Sequence, residues 1–367
     1  MSKNSWCLSG TLVVAAGCAV LLAACGSRSK STQETGQNSS QIVGAGSSFI
    51  YPAMTQWASE FQKSHPGVQI NYQSIGSGGG IQQVKGGLLD FAASDAALDD
   101  AQLKEMPAVV QIPESAGPVC ITYNLPELKE PLRLSPETLA GIYLGEIKNW
   151  QDPRLKKDNP GVKLPNDNIV TAHRSDGSGT TNIFSTYLAK VSPTWDKKVG
   201  KGISLSWPNG LGGKGNEGVT GVVKQTPGGI GYVELIYATQ NNLPVAFIRN
   251  RTGQYVKPSV ASTTAAIDAF SQELARDVRN PIVDPPASAK DAYPIAGLTF
   301  LIIPVHPKTP AKGKIVEEFV NYIISQGQDE AEKLLYAKLP AALQHQDQNL
   351  LARLNTQNNQ AASTSPR

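Results

Sequence analysis

Three short loops gather the residue types that hold an anion: Gly46-Ser47-Ser48-Phe49, Gly76-Ser77-Gly78-Gly79 and Asp176-Gly177-Ser178-Gly179-Thr180. Each follows a run of strand character and opens a stretch of helical spacing. Free N–H groups at a helix start, with the helix dipole behind them, favour negative charge. Glycine lets backbone approach a ligand closely, and Ser and Thr hydroxyls add donors. A single Gly-Ser loop is more often a plain turn; three together point to an oxyanion. Arg174 stands two residues before Asp176. Its planar fork suits two oxygens of one oxyanion, with Asp176 holding the fork in place. The plainer reading of that pair is a surface ion pair worth about 0–1 kcal/mol.

The elements that must position these loops follow a strand, loop, helix rhythm. Ile42-Val43 reads as a strand, Met54, Trp57, Ala58 and Phe61 recur at helical spacing, and His65-Pro66-Gly67 stops that helix. Val68, Ile70 and Tyr72 alternate as a strand, and a helix is expected to open at Ile81. Leu88 to Ala93 reads as a strand ending on Ser94-Asp95. Two further strands are expected over Val109 to Ile112 and Val119 to Tyr123, and Ser135-Pro136-Glu137 is a capped helix start. Ile169 to Ala172 delivers Arg174, and Ile183, Phe184, Tyr187 and Leu188 share one helix face. Gly228 to Val233 turns into a strand, Leu298 to Ile303 is a late strand, and Ile315 to Ile324 an amphipathic helix. The rhythm predicts α/β architecture with parallel strands.

The 367 residues allow two domains, each long enough to bury a core. Only 17% of residues are charged and the formal net charge is +3, so neither charge-driven disorder nor nucleic-acid binding is favoured. Enzyme signatures are largely missing. Gly212-Gly213-Lys214-Gly215 lacks the Ser or Thr of a Walker A loop, and no Gly-x-Ser-x-Gly elbow occurs. The four His (His65, His173, His306, His345) are scattered without metal-ligand spacing, and His173 reads as structural. Lys214 and Glu217 read as braces of a Gly-rich loop.

The amino-terminal segment reads as an address. Lys3 precedes an apolar run from Leu12 to Ala24 that is too short and Gly-interrupted for a comfortable membrane span. Residues 1–24 are expected to be a lipoprotein signal peptide. Leu22-Ala23-Ala24-Cys25-Gly26 resembles the bacterial lipoprotein box, in which the cysteine is acylated; a simple signal containing Cys25 is the alternative. Residues 25–41 are polar and aperiodic, as expected of a flexible tether, and 353–367 are expected to be disordered. Cys7 and Cys18 leave with the signal, and Cys120, inside a Val-Cys-Ile run, reads as a buried small hydrophobe, so no disulfide framework is expected.

Six stretches together resemble one family: Gly44 to Phe49, Asn71 to Gly79, Asp90 to Asp95, Arg174 to Thr180, Gly210 to Asn216 and Gly229 to Glu234. The chain resembles the phosphate-binding proteins of bacterial phosphate-specific ABC importers, from Ile42 to about Leu351. The resemblance implies a periplasmic-binding-protein fold of type II, two α/β lobes with the ligand cleft between them and two hinge crossings. Lobe I would hold 42–118 plus 296–352, and lobe II 119–295. Phosphate contacts implied residue by residue are Ser48 (hydroxyl) and Phe49 (backbone N–H), Ser77 (hydroxyl), Asp95 (carboxylate), Arg174 (guanidinium), and Ser178, Gly179 and Thr180 (helix-start donors), with Asp176 in support. Ser48 stands where Thr is usual, and Gly78 where a second Ser often follows, which removes one donor. The resemblance further implies no enzymatic activity, no cofactor and no metal. It implies delivery of phosphate to membrane permease subunits served by ATPases, and a monomer anchored through lipid on Cys25 outside the cytoplasm, in the cell envelope.

Asp95 is then the informative residue, because like charges side by side cost several kcal/mol. A carboxylate belongs in an anion site if the ligand carries a proton to donate. Phosphate near neutral pH keeps at least one P–OH, its second ionisation lying near pH ~6–7, whereas sulfate is fully ionised. The alternatives are a phosphatase or esterase using Ser178 as nucleophile, which lacks a base, a binder of another oxyanion, and a secreted adhesin or sensor keeping the same pocket.

Overall fold

The computed structural model describes residues 40–364, with side chains described as far as residue 352. The expected signal peptide, Cys25 and the tether up to residue 39 lie outside the described residues. Ser40 and Gln41, expected in the tether, already pair with Val68 and Gln69 in the first strand.

Eleven strands are β1 (Ser40–Gly46), β2 (Val68–Ser74), β3 (Phe91–Ser94), β4 (Val109–Tyr123), β5 (Arg133–Leu134), β6 (Val170–Arg174), β7 (Leu211–Gly213), β8 (Gly229–Glu234), β9 (Phe247–Arg249), β10 (Tyr255–Val256) and β11 (Ala296–Pro304). Eight form one sheet in the order β2-β1-β3-β11-β4-β8-β6-β7, and β10-β9-β5 form a smaller one. The sheet is mixed, which corrects the expectation of parallel strands. β1 pairs with β2 and β3 in parallel, and so does β6 with β7 and β8, but β11 is antiparallel to both β3 and β4, and β4 to β8.

These directions decide where the loops go. β4 runs the same way as β1–β3 and opposite to β6–β8. Its first part, up to Pro118, pairs with β11, and its last part, from Val119, pairs with β8. The two parallel groups are therefore offset along β4 and point toward each other, so their carboxyl ends meet near the change of partner.

The two strands expected at 109–112 and 119–123 are one strand, β4. Pro113 and Pro118 suggested a break, because proline cannot donate to a ladder. Both are accommodated where the ladder is already irregular. Pro113 adjoins a register shift against Thr299/Phe300, and Pro118 sits at the change of partner. The helix expected from Ile81 begins at Ser77, because the glycine run packs backbone to backbone, with Gly78 N–H donating to the Gly177 carbonyl at 2.9 Å. The carboxyl-terminal helix Ala341–Thr364 carries regular structure through most of the segment expected to be disordered. Its Ala, Leu and Gln residues are good helix formers.

Each end of the large sheet has its own aromatic packing. Helix Tyr51–Ser64 buries Met54, Trp57 and Phe61, with Phe61 edge-on to Phe319 at 5.2 Å and Trp57 Nε1 donating to the Gly327 carbonyl at 2.7 Å. At the other end Phe184 stacks on Tyr232 at 4.4 Å and meets Tyr143 edge-on at 4.8 Å. Each such buried side chain contributes roughly 1.5–3 kcal/mol. Cys120 lies in this interior as a free, buried cysteine, in line with its reading as a small hydrophobe.

Gly46, which ends β1 and starts the first loop, has φ +139°, and a Cβ there would collide with the Ala93 carbonyl of β3. Gly46→Ala is expected to destabilise the protein by about 1–3 kcal/mol or more, from backbone strain and overpacking together. Urea denaturation reads this directly, and an unchanged midpoint would refute the packing assigned to this turn.

Candidate functional site

The first loop leaves β1 at Gly46 and enters helix Tyr51–Ser64. Three successive carbonyls of this loop each accept a tyrosine hydroxyl. Ser47 O is held by Tyr72 at 3.0 Å, Ser48 O by Tyr237 at 2.6 Å and Phe49 O by Tyr336 at 2.6 Å. In a planar trans peptide the C=O and the next N–H point opposite ways. Three anchored carbonyls therefore fix the aim of the Ser48, Phe49 and Ile50 amides. The Phe49 and Ile50 amides point at Ser47 Oγ, at 2.9 and 3.4 Å. The Ser48 amide has no acceptor among the described residues. Ser47 Oγ in turn donates to Asp95 Oδ1 in a short hydrogen bond.

The second loop places Ser77 at the first position of its helix. Ser77 Oγ accepts from the Asp95 amide at 3.2 Å and from the Gly179 amide at 3.1 Å, which leaves its own proton free to donate. Gly179 is tight here, since a Cβ on it would lie 2.6 Å from both Asp95 Cβ and Ser77 Oγ.

The third loop follows β6. Asp176 takes Arg174 in a bidentate grip, Nε to Oδ1 at 2.7 Å and an Nη to Oδ2 at 2.6 Å, and also accepts from the Gly215 amide at 3.1 Å. That leaves the other Nη, which donates to Thr180 Oγ1 at 3.3 Å. The pair is no surface bridge, as the Arg174 side chain is 1% exposed. Thr180 Oγ1 donates to Asp95 Oδ2 at 3.3 Å. Ser178 caps the helix Gly179–Val191 by accepting from the Thr181 amide at 3.0 Å, while its own amide donates to the Ile203 carbonyl at 2.8 Å.

Ser48, Ser77, Asp95, Arg174, Asp176, Gly179 and Thr180 thus come together, linked directly or through one shared partner. Ser178 takes part through its capping role and Phe49 through its amide. Two contacts differ from expectation. The Phe49 amide is engaged by Ser47 Oγ and the Gly179 amide by Ser77 Oγ. Asn216 was missed as a site residue, although it closes one of the quoted motifs. Its amide and Nδ2 donate to Ser48 Oγ at 3.0 and 2.9 Å, Nδ2 also reaches Thr180 Oγ1 at 3.1 Å, and Oδ1 accepts from the Glu234 amide at 2.9 Å. An asparagine after a Gly-Lys-Gly run carries no signal of this bridging. Ser47, Thr299 and Glu114 were missed for the same reason. Glu217, read as a loop brace, accepts from Ser74 Oγ at 3.1 Å.

Charge is unevenly matched in this interior. Arg174 is the one buried cation among the described residues, whereas Asp95, Glu114 and Glu234 are buried acids. Burial pushes Asp95 up to about 6, against the lowering pull of the Ser47 hydroxyl and the Arg174 charge. Glu114 rises to about 8, through burial and the nearby Asp95 charge, against one hydrogen bond from Thr299. Glu234 is raised well above the carboxylate range, chiefly by burial. Burial also raises Asp176, but its hydrogen bond and charge pairing with Arg174 win and hold it below the usual range. Asp95 is therefore largely ionised at neutral pH, with the Ser47 and Thr180 hydroxyls donating to it and the Arg174 charge nearby.

No three His, Cys, Asp or Glu side chains among the described residues form a metal-binding group. His173 stacks on Trp207 at 4.8 Å and its Nδ1 meets the Arg174 carbonyl at 3.1 Å, with no hydrogen bond to Ser178. This fits the structural reading of His173, and among the described residues no base is hydrogen-bonded to Ser178.

The sequence matches the PBP superfamily domain over residues 31–326. It is 44% identical over 305 residues to the phosphate-binding protein PstS of Xylella fastidiosa strain Temecula1, covering 83% of this chain and 82% of the relative. To the phosphate-binding protein PstS of Haemophilus influenzae it is 42% identical over 301 residues, covering 82% and 89%. A high-affinity periplasmic phosphate-binding protein, PfluDING, solved with bound phosphate, shares the fold with a TM-score of 0.65 at 21% identity, covering 83% of this chain and 92% of that one. A phosphate ABC transporter substrate-binding protein from Clostridium perfringens does so with a TM-score of 0.59 at 16% identity, covering 82% and 100%. With carboxyl-end loops from two opposed strand groups converging on one acid and one guanidinium, and with relatives this similar over most of their length, the chain belongs to the PstS family of phosphate-binding proteins within the PBP superfamily.

Proposed function

We propose that this protein binds inorganic phosphate outside the cytoplasm and delivers it to an ABC-type importer. The observation that carries the reading is the buried carboxylate of Asp95, set among hydroxyl donors in a site otherwise built for an anion. Such a group suits a tetrahedral oxyanion that still owns a proton. Ser48 contributes its amide and hydroxyl, Ser77 its hydroxyl, and Arg174 the Nη not used by Asp176, while the Thr180 hydroxyl stays on Asp95. The Phe49, Gly179 and Thr180 amides complete the set once an anion oxygen replaces Ser47 Oγ and Ser77 Oγ as acceptor. Ser178 fixes the helix start by accepting from the Thr181 amide, and its own hydroxyl proton remains free to donate to the ligand. Charge-assisted bonds contribute roughly 1.5–3 kcal/mol each, so about six offset the costs of closure and still reach the −8.2 kcal/mol of micromolar binding.

Lobe I is assigned to 42–118 plus 296–352 and lobe II to 119–295. The change of β4's partner at Pro118/Val119 supports this, as does the start of β11 at Ala296 beside the Val119 amide, which donates to the Ile295 carbonyl at 2.8 Å. On this division Tyr237 and Asn216 reach from lobe II to Ser48 of lobe I. Residues 1–24 would direct export, Cys25 would carry lipid, and a monomer would work beside the permease and ATPase subunits. No helix among the described residues is long and apolar enough to cross a membrane.

Calorimetric titration with phosphate, sulfate and arsenate between pH 5 and 8 tests the reading, and equal affinity for phosphate and sulfate would sink it. Asp95→Asn is expected to reduce the preference for phosphate over sulfate by about tenfold or more, read by the same titration. Tyr237→Phe leaves the buried Ser48 carbonyl without its donor. Phosphate affinity is expected to drop about 5- to 150-fold, as for the roughly 1–3 kcal/mol of an unsatisfied buried acceptor. Unchanged affinity would remove Tyr237 from closure. Without ligand, the folded state holds the Asp95 proton to about pH 6, while the unfolded chain releases it near the ordinary 3.8. Between those values the native state binds more protons, so stability falls as pH rises, by about 3 kcal/mol at most from this group. Denaturant melts from pH 4 to 7 should show the fall in the parent protein and a smaller one in Asp95→Asn.

A further inference from the structure

Behind Asp95 lies a second carboxyl group that the phosphate site does not use directly. In the ladder between β4 and β11, Pro113 opposes Phe300 and Ser115 opposes Thr299, so Glu114 is the extra residue of a bulge. Bulges re-aim a side chain, often beside a functional site. The Gln328 amide holds this one, with Nε2 donating to the Glu114 carbonyl at 2.8 Å. The Glu114 side chain is fully buried. Its Oε1 lies 3.0 Å from Thr299 Oγ1, and its Oε2 has no hydrogen-bond partner. Thr299 Oγ1 also lies 3.4 Å from Asp95 Oδ1.

A hydroxyl has one proton. Placed between two carboxylates, Thr299 can donate to only one, and two adjacent buried charges would repel. The chain of bonds closes when one acid keeps its proton and donates it to Thr299 Oγ1, so that Thr299 donates its own to the other. Asp95 is the better anion, because the Ser47 and Thr180 hydroxyls already donate to it and the Arg174 charge lies nearby. Glu114 has only Thr299, with Asp95 as its negative neighbour. Among the described residues nothing else near them competes for the proton. The Tyr72, Tyr237 and Tyr336 hydroxyls are raised and stay neutral, Glu234 is raised chiefly by burial, and Arg174 is tied to Asp176.

We propose that Glu114 is a positioning residue for phosphate selection: as a neutral acid it donates to Thr299, which donates to Asp95 and keeps Asp95 an ionised acceptor for the ligand's P–OH. This rests on the phosphate reading of Asp95. Glu114 loses its proton as pH rises through about 8. Thr299 then turns to the new carboxylate, Asp95 loses a donor and gains a negative neighbour, and phosphate is held less well.

The experiment titrates phosphate into the parent protein, Glu114→Gln and Glu114→Met from pH 6.5 to 9.5, with a thermal melt of each variant as a fold control. Absence of phosphate binding by the parent at pH 7 would defeat the phosphate reading itself, whatever Glu114 does. Given binding, Glu114→Met, which has no donor, is expected to lose about tenfold or more at pH 7, the size of one hydrogen bond to a charged acceptor. Glu114→Gln keeps an amide donor and recovers most of that loss. The parent weakens above pH 8 while Glu114→Gln does not. Equal losses in the two variants, no loss in Glu114→Met, or identical pH profiles for the parent and Glu114→Gln would each overturn the proposal. If Glu114→Met does not fold, the comparison of profiles decides alone.

Discussion

Among the described residues one buried guanidinium, Arg174, serves a site around which three buried acids, Asp95, Glu114 and Glu234, are gathered. Arg174 is already held by Asp176 through Nε and one Nη, so a single Nη is left for whatever enters the site. Every other attraction for an anion must come from neutral dipoles: serine and threonine hydroxyls, the Asn216 amide and helix-start N–H groups. Such donors are worth more in a dry interior than in water, and they cost more if left unpaired. The site accordingly satisfies most of its own donors, leaving the Ser48 amide and the Ser77 proton open. Ser47 and Thr180 donate to Asp95, Ser77 accepts from two amides, and Asn216 spans Ser48 and Thr180.

That self-satisfaction depends on how the loops are braced from behind. The tyrosines at 72, 237 and 336 come from three distant parts of the chain and hold three consecutive carbonyls of one loop. The Tyr232 hydroxyl does comparable work across the site, accepting from the Arg174 amide at 3.1 Å and meeting Thr181 Oγ1 at 2.6 Å. These tyrosines need not touch a ligand. They direct amides and a guanidinium before any ligand arrives, which spares the ordering cost that binding would otherwise carry.

Much of this was legible in the residues. Hydrophobic spacing marked the helices at 51–64 and 179–191, and Ser135-Pro136 marked a helix start that the structure carries. Gly, Ser and Thr at strand ends, with Arg174 and Asp176 two apart, marked the site loops, because those types have few other reasons to cluster. The misreadings have physical causes. Pro113 and Pro118 looked like breaks, since local sequence does not reveal that a bulge and a change of partner already interrupt the ladder there. Asn216, Glu114 and Thr299 escaped because their roles rest on neighbours 18 to 214 residues away.

From sequence alone, the helices and strands that carry the site loops, the chemistry of those loops and the family resemblance were legible, since each depends on residues close together in the chain. Only the tertiary structure decided that two parallel strand groups point at each other along β4, so that loops from opposite ends of the sheet close on Asp95. It also decided which donors are already engaged, and that a bulge turns Glu114 toward Thr299. Strand direction, register and burial are set by partners far apart in sequence, and hydrogen-bond satisfaction in a dry interior is a property of the whole assembly of loops.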